Sequence, residues 1–535
     1  MNNKRFTILR LAICVCLLMF VVIPLLQLLL TINDGDFQKV LSEPLFFTML
    51  KDSLLTTTIA TIISVSLALL LAWLLQRSGI RHKKMFALIF TLPMLIPSIS
   101  HGMGLTLVFG DNGLFTNFLG INLHIYGYPG IIIGSVLYSF PVAFLMLSDA
   151  FQYEDFTHYE AARVLGFSKY QQFKVVTMTN IGSTLFSSIF AVFTMIFTDY
   201  GVALMVRGNV ITLAVYMYRE VIGLLNFSKG SVIGIMLLAP AVIAFIVDYK
   251  HTIGSNTNTV TKAYEIHKNK SRDRMAYGIC ATVSVLVMLP IASFVFLTIV
   301  KQYPINLSLS LDTIRESFSS LSLGNYVRNS LVIALLTGFF GVSLSYLAAY
   351  ITARSKRTIS TLMLHFIGIA TLAIPGIVLG LSYVLLFNGS ALQGTLVLII
   401  IVNAVHFFAS PYLLAYNSLR KYSNNLEDTA ISLGISKWKM MMDVFIPSTQ
   451  ETIIEMFSYI FVNSMVTISA VSFLASFRNM PLSLLIPQLD TQSLIGPTAF
   501  VSVIILFINL CMKLFVSRAH KVVKYQKEKT YELNV

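Results

Sequence analysis

Apolar residues in this chain fall in long runs separated by short polar stretches. A run of about twenty apolar residues can cross a bilayer as a helix. Twelve such runs are predicted as membrane spans, near 8–31, 53–76, 85–109, 129–150, 182–205 and 230–248, then near 275–299, 329–352, 361–387, 394–418, 450–474 and 495–516. A backbone inside lipid must satisfy its own polar groups, which helices do, so the pattern predicts an all-α membrane protein. The run at 182–205 is the least uniform, because Asp199 lies inside it.

Composition agrees with the pattern. The 535 residues are 56% hydrophobic and 12% charged, where a soluble chain carries about 25% charged residues. Charge then sets an orientation, since Lys and Arg concentrate on the cytoplasmic side. With the N-terminus inside, the stretches 1–10, 77–84, 151–180, 249–274, 353–358, 419–448 and 513–535 hold 29 of the 38 basic residues. Both termini are thus expected in the cytoplasm. The net charge of +14 reads as a basic face toward anionic lipid headgroups rather than as a nucleic-acid surface. The first apolar segment follows Lys4, Arg5 and Arg10 and has no small-residue cleavage site, so it reads as a retained helix rather than a cleaved leader. Cys14, Cys16, Cys280 and Cys511 all fall in predicted spans, with neither metal spacing nor a disulfide framework.

The chain repeats itself. Ser53-Leu54 opens a span that ends in Gln76-Arg77-Ser78, and Ser330-Leu331 opens one that ends in Ala353-Arg354-Ser355, an offset of 277. Ile96-Pro97, Gly102 and Phe109 recur as Ile374-Pro375, Gly380 and Phe387 at offset 278. Pro141 and Pro411 occupy the fourth span of each set, and Pro97, Pro375, Pro141 and Pro411 are all expected to kink their helices. The organisation predicted is a first half over 1–248, a charged linker over 249–274 and a second half over 275–535. With six spans each, the halves point the same way in the membrane, related by an axis along its normal.

Each half has one long loop between its fourth and fifth spans, 151–180 and 419–448. The first contains Glu160-Ala161-Ala162-Arg163-Val164-Leu165-Gly166-Phe167-Ser168-Lys169-Tyr170, and the second Asp428-Thr429-Ala430-Ile431-Ser432-Leu433-Gly434-Ile435-Ser436-Lys437-Trp438, at offset 268. Each reads as a short helix, a glycine break and a second short helix capped by serine. The acid can pair with an arginine of a partner, and alanine permits a partner's close approach.

These loops resemble the EAA motif of binding-protein-dependent ABC importer permeases, whose type I fold the twelve-span frame also resembles. The first loop keeps Glu160, Ala161, Ala162 and Gly166 but has Met178-Thr179 where Ile446-Pro447 stands in the second; the second has Asp428-Thr429-Ala430 in place of E-A-A. The resemblance implies that Glu160, Ala161, Ala162, Gly166, Asp428, Ala430 and Gly434 form coupling helices on which two copies of a cytoplasmic ABC ATPase dock. It implies ATP and Mg on that partner and no enzyme activity or cofactor in this chain. No Gly-Lys pair occurs, so no phosphate loop of the G-x-x-x-x-G-K type is present. The longest external stretches, near 32–52, 206–229 and 300–328, are too small to capture a solute; a separate extracytoplasmic substrate-binding protein is implied.

Polar groups within spans are costly and tend to face a cavity. In the resembling family the fifth helix of each half lines the pathway, and here that points to Asp199, Tyr200, Asn463 and Thr467. His101, His365 and His406 lie in separate spans with no convergent spacing, which predicts helix-to-helix hydrogen bonds and no metal site. Fusion of two halves in one chain resembles permeases for ferric iron, thiamine and aminoethylphosphonate, and Thr467–Leu474 resembles the ferric-iron and phosphonate members. Ferric iron ranks first among the substrates, with thiamine, aminoethylphosphonate or a polyamine as alternatives. An ion-gradient-driven secondary transporter is the competing class. It would need charged groups at span centres, which the chain almost wholly lacks.

Overall fold

A computed structural model describes residues 2–120, 123–252, 262, 264–266, 269–355, 358–423 and 425–533. Among the described residues, eight helices are long and apolar enough to cross a membrane, and eleven are when each bent helix pair is counted as one span. The remaining expected span, 450–474, is the helix Gln450–Val466, only 17 residues long. The expected linker 249–274 lies largely outside the described residues. Its ends continue the flanking helices Phe227–Thr252 and Lys270–Thr298.

The third span of each half is broken rather than straight. Lys83–Leu95 and Ser98–Phe118 meet at 103°, and Ile359–Ala373 and Gly376–Phe387 at 109°. Pro97 and Pro375 sit at these corners and force the preceding residue out of the helical region. Ile96 (φ −123°, ψ 152°) and Ile374 (φ −96°, ψ 110°) are accordingly extended. His101 Nε2 lies 3.1 Å from the Pro93 carbonyl and ties the two arms of the first corner. Pro141 sits inside the continuous helix Tyr128–Gln152, whereas the span of Pro411 is bent by 50° between His406 and Ala409. The fifth spans end early, at Phe197 and Val466, and the chain turns into short segments before reaching the helices Leu213–Tyr218 and Leu482–Thr491.

The halves exchange their first helices. Near the N-terminus, Arg10 donates to Thr358 Oγ1 at 3.2 Å, Cys14 Sγ approaches the Ser360 carbonyl at 3.6 Å, and the Tyr383 hydroxyl donates to the Phe20 carbonyl at 2.7 Å. Reciprocally, Lys270–Thr298 lies on the first half. Asp273 accepts the Gly79 N–H at 2.9 Å, Tyr277 packs edge-on against Phe86, and Pro290 abuts Gly104. The last helix, Ile495–Leu533, also crosses over: Asn509 donates to the Leu95 carbonyl at 2.9 Å, and Ser502 meets Ser100 at 2.9 Å. One apolar core thus draws buried residues from both halves.

Candidate functional site: two loops and a central contact

The loops between the fourth and fifth spans have the shape their residues predict. In the first, the helix Thr157–Val164 ends at Gly166, which takes φ +75°, and Lys169–Gln172 follows. Ser168 Oγ accepts the Gln171 N–H at 3.3 Å while Gln171 Oε1 accepts the Ser168 N–H at 2.8 Å, a reciprocal cap. In the second, Asn425–Ser432 ends at Gly434 (φ +66°), and Ser436 Oγ accepts the Lys439 N–H at 3.1 Å to start Lys437–Met440. A matched π-helical turn then opens each fifth span, at Phe173–Thr177 and Met441–Phe445.

Burial separates the residues the sequence grouped together. Ala161 and Asp428 are exposed. Ala162 and Ala430 are buried, and Ala162 packs under the loop against Phe156, Tyr159 and Val176. The close approach these two alanines permit is therefore to the body of the protein. Glu160 is half-buried and already paired with Lys262 Nζ at 2.5 Å. Each loop also presents large apolar side chains outward. Val164, Leu165 and Tyr170 are exposed on the first, and Ile431, Leu433 and Trp438 on the second. Leu165 matches Leu433 and Tyr170 matches Trp438 at the loop offset of 268.

A buried arginine holds each loop. Arg77 pairs with Glu154, both side chains almost wholly buried, and Glu154 also accepts the Tyr159 hydroxyl at 2.6 Å. Arg354 makes a two-point contact with Glu427 at 2.6 and 2.5 Å and donates to the Tyr422 and Ser423 carbonyls, each at 2.8 Å. Sequence reasoning assigned no role to these arginines, although Arg77 and Arg354 recur at offset 277. Their acidic partners sit at unmatched loop positions, which hides the pairing.

The segments after the fifth spans meet between the halves. The Tyr200 hydroxyl contacts Ser472 Oγ. Tyr200 stacks on Tyr218 at 4.5 Å, and Tyr218 in turn faces Phe473 at 6.4 Å. A β-carbon on Gly201 would lie 2.6 Å from Ile468 Cδ1. Glycine also permits the backing of each segment. A β-carbon on Gly102 would lie 2.7 Å from the Val202 carbonyl oxygen, and one on Gly380 would lie 2.6 Å from that of Ala470. Of the four residues proposed from sequence for the pathway, Tyr200 bridges the halves. Asp199 is enclosed and caps the Val202 N–H at 2.9 Å. The space beside it is about 10 Å³, lined in part by Thr56, Thr57 and Ser135, room for about one water. Asn463 bonds back to the Tyr459 carbonyl at 2.8 Å, and Thr467 is buried with its carbonyl accepting Ser483 Oγ at 2.7 Å.

The three histidines stay apart in role. His365 Nδ1 lies 2.6 Å from the Tyr412 hydroxyl on another helix, whereas His101 bonds within its own span and His406 Nδ1 is buried without a partner among the described residues.

A duplicated set of membrane helices, interlocked halves meeting at a central contact, and a matched pair of loops define a polytopic membrane permease. The chain belongs to the family of binding-protein-dependent transport system inner membrane components, which it matches over residues 64–250 and 341–524. It is 26% identical to the ferric transport system permease protein FbpB of Actinobacillus pleuropneumoniae, over 89% of this chain and 73% of that one. It is likewise 26% identical to the Haemophilus influenzae protein provisionally named ferric transport system permease protein FbpB 1, over 89% of this chain and 79% of that one. The thiamine transport system permease protein ThiP of Haemophilus influenzae is 22% identical over 71% of each chain. The protein is thus a multi-pass permease of an ABC importer in the bacterial inner membrane, a family that is not itself catalytic.

Proposed function

We propose that this chain forms the pathway through which ferric iron, delivered by a separate extracytoplasmic binding protein, enters the cell at the expense of ATP hydrolysed by two copies of a cytoplasmic ABC ATPase. In this reading residues 1–248 and 275–535 are the two permease halves, both termini and both loops face the cytoplasm, and ATP and Mg bind on the partner. The observation that carries the ATPase reading is the matched outward pair on each loop, Leu165 with Tyr170 and Leu433 with Trp438. Exposed apolar groups beyond the membrane ask for a protein partner. Gly166 and Gly434 direct each pair by the same backbone turn.

Closure of the ATPase dimer would draw the two loops together. The fifth spans begin directly at the loops, end at Phe197 and Val466 and lead into Asp199-Tyr200 and Thr467-Ile468, so displacement at one end reaches the Tyr200–Ser472 contact at the other. The solute would then pass where those segments part.

Leu165→Cys and Leu433→Cys should each form a cross-link to the ATPase subunit in membranes. No cross-link at either position would sink the docking assignment. For the substrate, iron loading should raise the melting temperature of the cognate binding protein, and that protein should support uptake of radioactive iron through this permease. A response to thiamine or an organic phosphonate, with none to iron, would replace the substrate and leave the machine intact.

A further inference from the structure

Among the described residues the two loops are braced differently, and the difference lies in the linker. Among the described residues, the second loop is held by its own contacts and by the end of the helix Leu323–Ala353, where the Tyr350 hydroxyl donates to the Lys437 carbonyl at 2.9 Å. Besides Glu427, Tyr422 and Ser423, the Arg354 guanidinium meets the Leu419 carbonyl at 3.4 Å and faces the Phe445 ring at 4.9 Å, all within residues 419–445. The first loop draws on a distant segment. Lys262 lies about a hundred residues further along the chain, yet its carbonyl accepts the Phe156 N–H at 2.9 Å and its own N–H reaches Asp155 at 3.3 Å. Its ammonium joins Glu160 at 2.5 Å and Glu265 at 3.3 Å. Two residues on, the Tyr264 ring lies 3.6 Å from the Arg77 guanidinium carbon and packs edge-on against Phe156 and Tyr159, at 5.1 and 5.2 Å. Backbone, charge and ring therefore all grip the first loop at once.

We propose that Lys262 and Tyr264 are positioning residues for transport, a strap by which the linker holds the first coupling loop in its docking orientation. This rests on reading the loops as ATPase-docking elements. The physical case has two parts. Arginine stacked on an aromatic ring is held by both dispersion and the ring quadrupole, so Tyr264 fixes the same guanidinium that anchors Glu154. The Lys262–Glu160 pair also neutralises the one acid of the first loop that resembles the family's docking acid, whereas Asp428 on the second loop stays exposed. The partner would thus meet a first loop whose docking acid is already paired and a second loop whose acid is exposed. Coupling through the first loop becomes conditional on the linker.

The test uses the whole permease–ATPase complex in lipid nanodiscs, with hydrogen exchange followed over 157–172 and 425–440, before and after trapping with Mg, ATP and vanadate. Lys262→Ala and Tyr264→Ala should speed exchange of the first loop about fivefold, the scale of one lost cation–π contact. They should also abolish its protection on trapping and leave the second loop unchanged. Lys262→Arg and Tyr264→Phe should restore both behaviours. Unchanged exchange in the first loop would overturn the strap, and so would equal loosening of both loops, which marks general destabilisation. Normal protection on trapping, despite faster exchange, would overturn its part in coupling. Loss of the Leu165→Cys cross-link with the strap intact would instead strike the docking assignment, so the two failures are distinct.

Discussion

The Ser53 hydroxyl oxygen accepts the Leu213 N–H at 2.7 Å, and Ser330 does the same for Leu482 at 2.6 Å. These serines stand at matched places near the start of each second span, and their partners open the helices that follow the central segments. The first N–H of a helix has no partner of its own, and both serines are buried. Ser53→Ala and Ser330→Ala should each cost about 1–3 kcal/mol, the cost of an unpaired buried donor. The two sites share no partner, so their effects on thermal unfolding in detergent should add. A neutral double variant would show that water replaces the hydroxyls.

Tyr200 and Ser472 tie the central segments across the halves. Tyr200→Phe keeps the stack on Tyr218 and removes one hydrogen bond worth about 1 kcal/mol net. The ratio of the arrangement with this contact made to the arrangement with it broken should fall about fivefold. A single-cysteine probe placed beside the contact should be labelled correspondingly faster in the absence of ATP. An unchanged labelling rate would mean that the aromatic stack alone holds the contact.

A β-carbon on Gly166 or Gly434 meets nothing within 4 Å. Substitution there is therefore a test of backbone conformation and not of a clash. Each has a φ that β-branched residues avoid, at about 1–2 kcal/mol. Gly166→Val with Gly434→Val should leave membrane insertion intact and uncouple ATP hydrolysis from uptake. Full uptake in the double variant would remove the loops from the coupling path.

Removing one member of a buried ion pair strands the other, at about 3–5 kcal/mol. Glu154 is the more enclosed of the two acids, so Arg77→Ala should lower the melting temperature more than Arg354→Ala. Arg77→Ala combined with Glu154→Gln should recover part of the loss. An equal drop for both single variants would show that the carbonyl contacts of Arg354 weigh as much as enclosure.

In the segment after the first span, the Asp36 carboxyl is held well below its usual range, first by the Ser228 hydroxyl, then by Lys39 and the Asn33 N–H. A depressed carboxyl contributes stability above its unfolded pKa of about 3.9 and loses it as pH falls toward the folded value. Asp36→Asn should therefore destabilise at pH 7, and the gap from the native protein should narrow below about pH 4. A gap that stays constant with pH would mean that shape, not charge, makes the contact.

Much of the fold was legible because bilayer length and helix periodicity act over twenty residues at a time. The spans, the corners at Pro97 and Pro375 and the helix–glycine–helix loops all follow from neighbours in the chain. Asp199 drew attention as a charge inside a span, but its partners at Val202 and Gly201 follow from the turn after Phe197, where hydropathy still reads as membrane.

The sequence by itself determined a duplicated membrane protein with paired loops, because apolar length, proline, glycine and serine caps impose local geometry wherever they occur. Only the tertiary structure decided which half receives each first helix, that Ala162 and Ala430 face inward, that Lys262 engages Glu160, and that Tyr200 finds Ser472. Those contacts join residues from about a hundred to more than three hundred positions apart, or turn on which side of a short helix is covered. No periodicity or spacing encodes either; they follow from how two interlocked halves fill the same core.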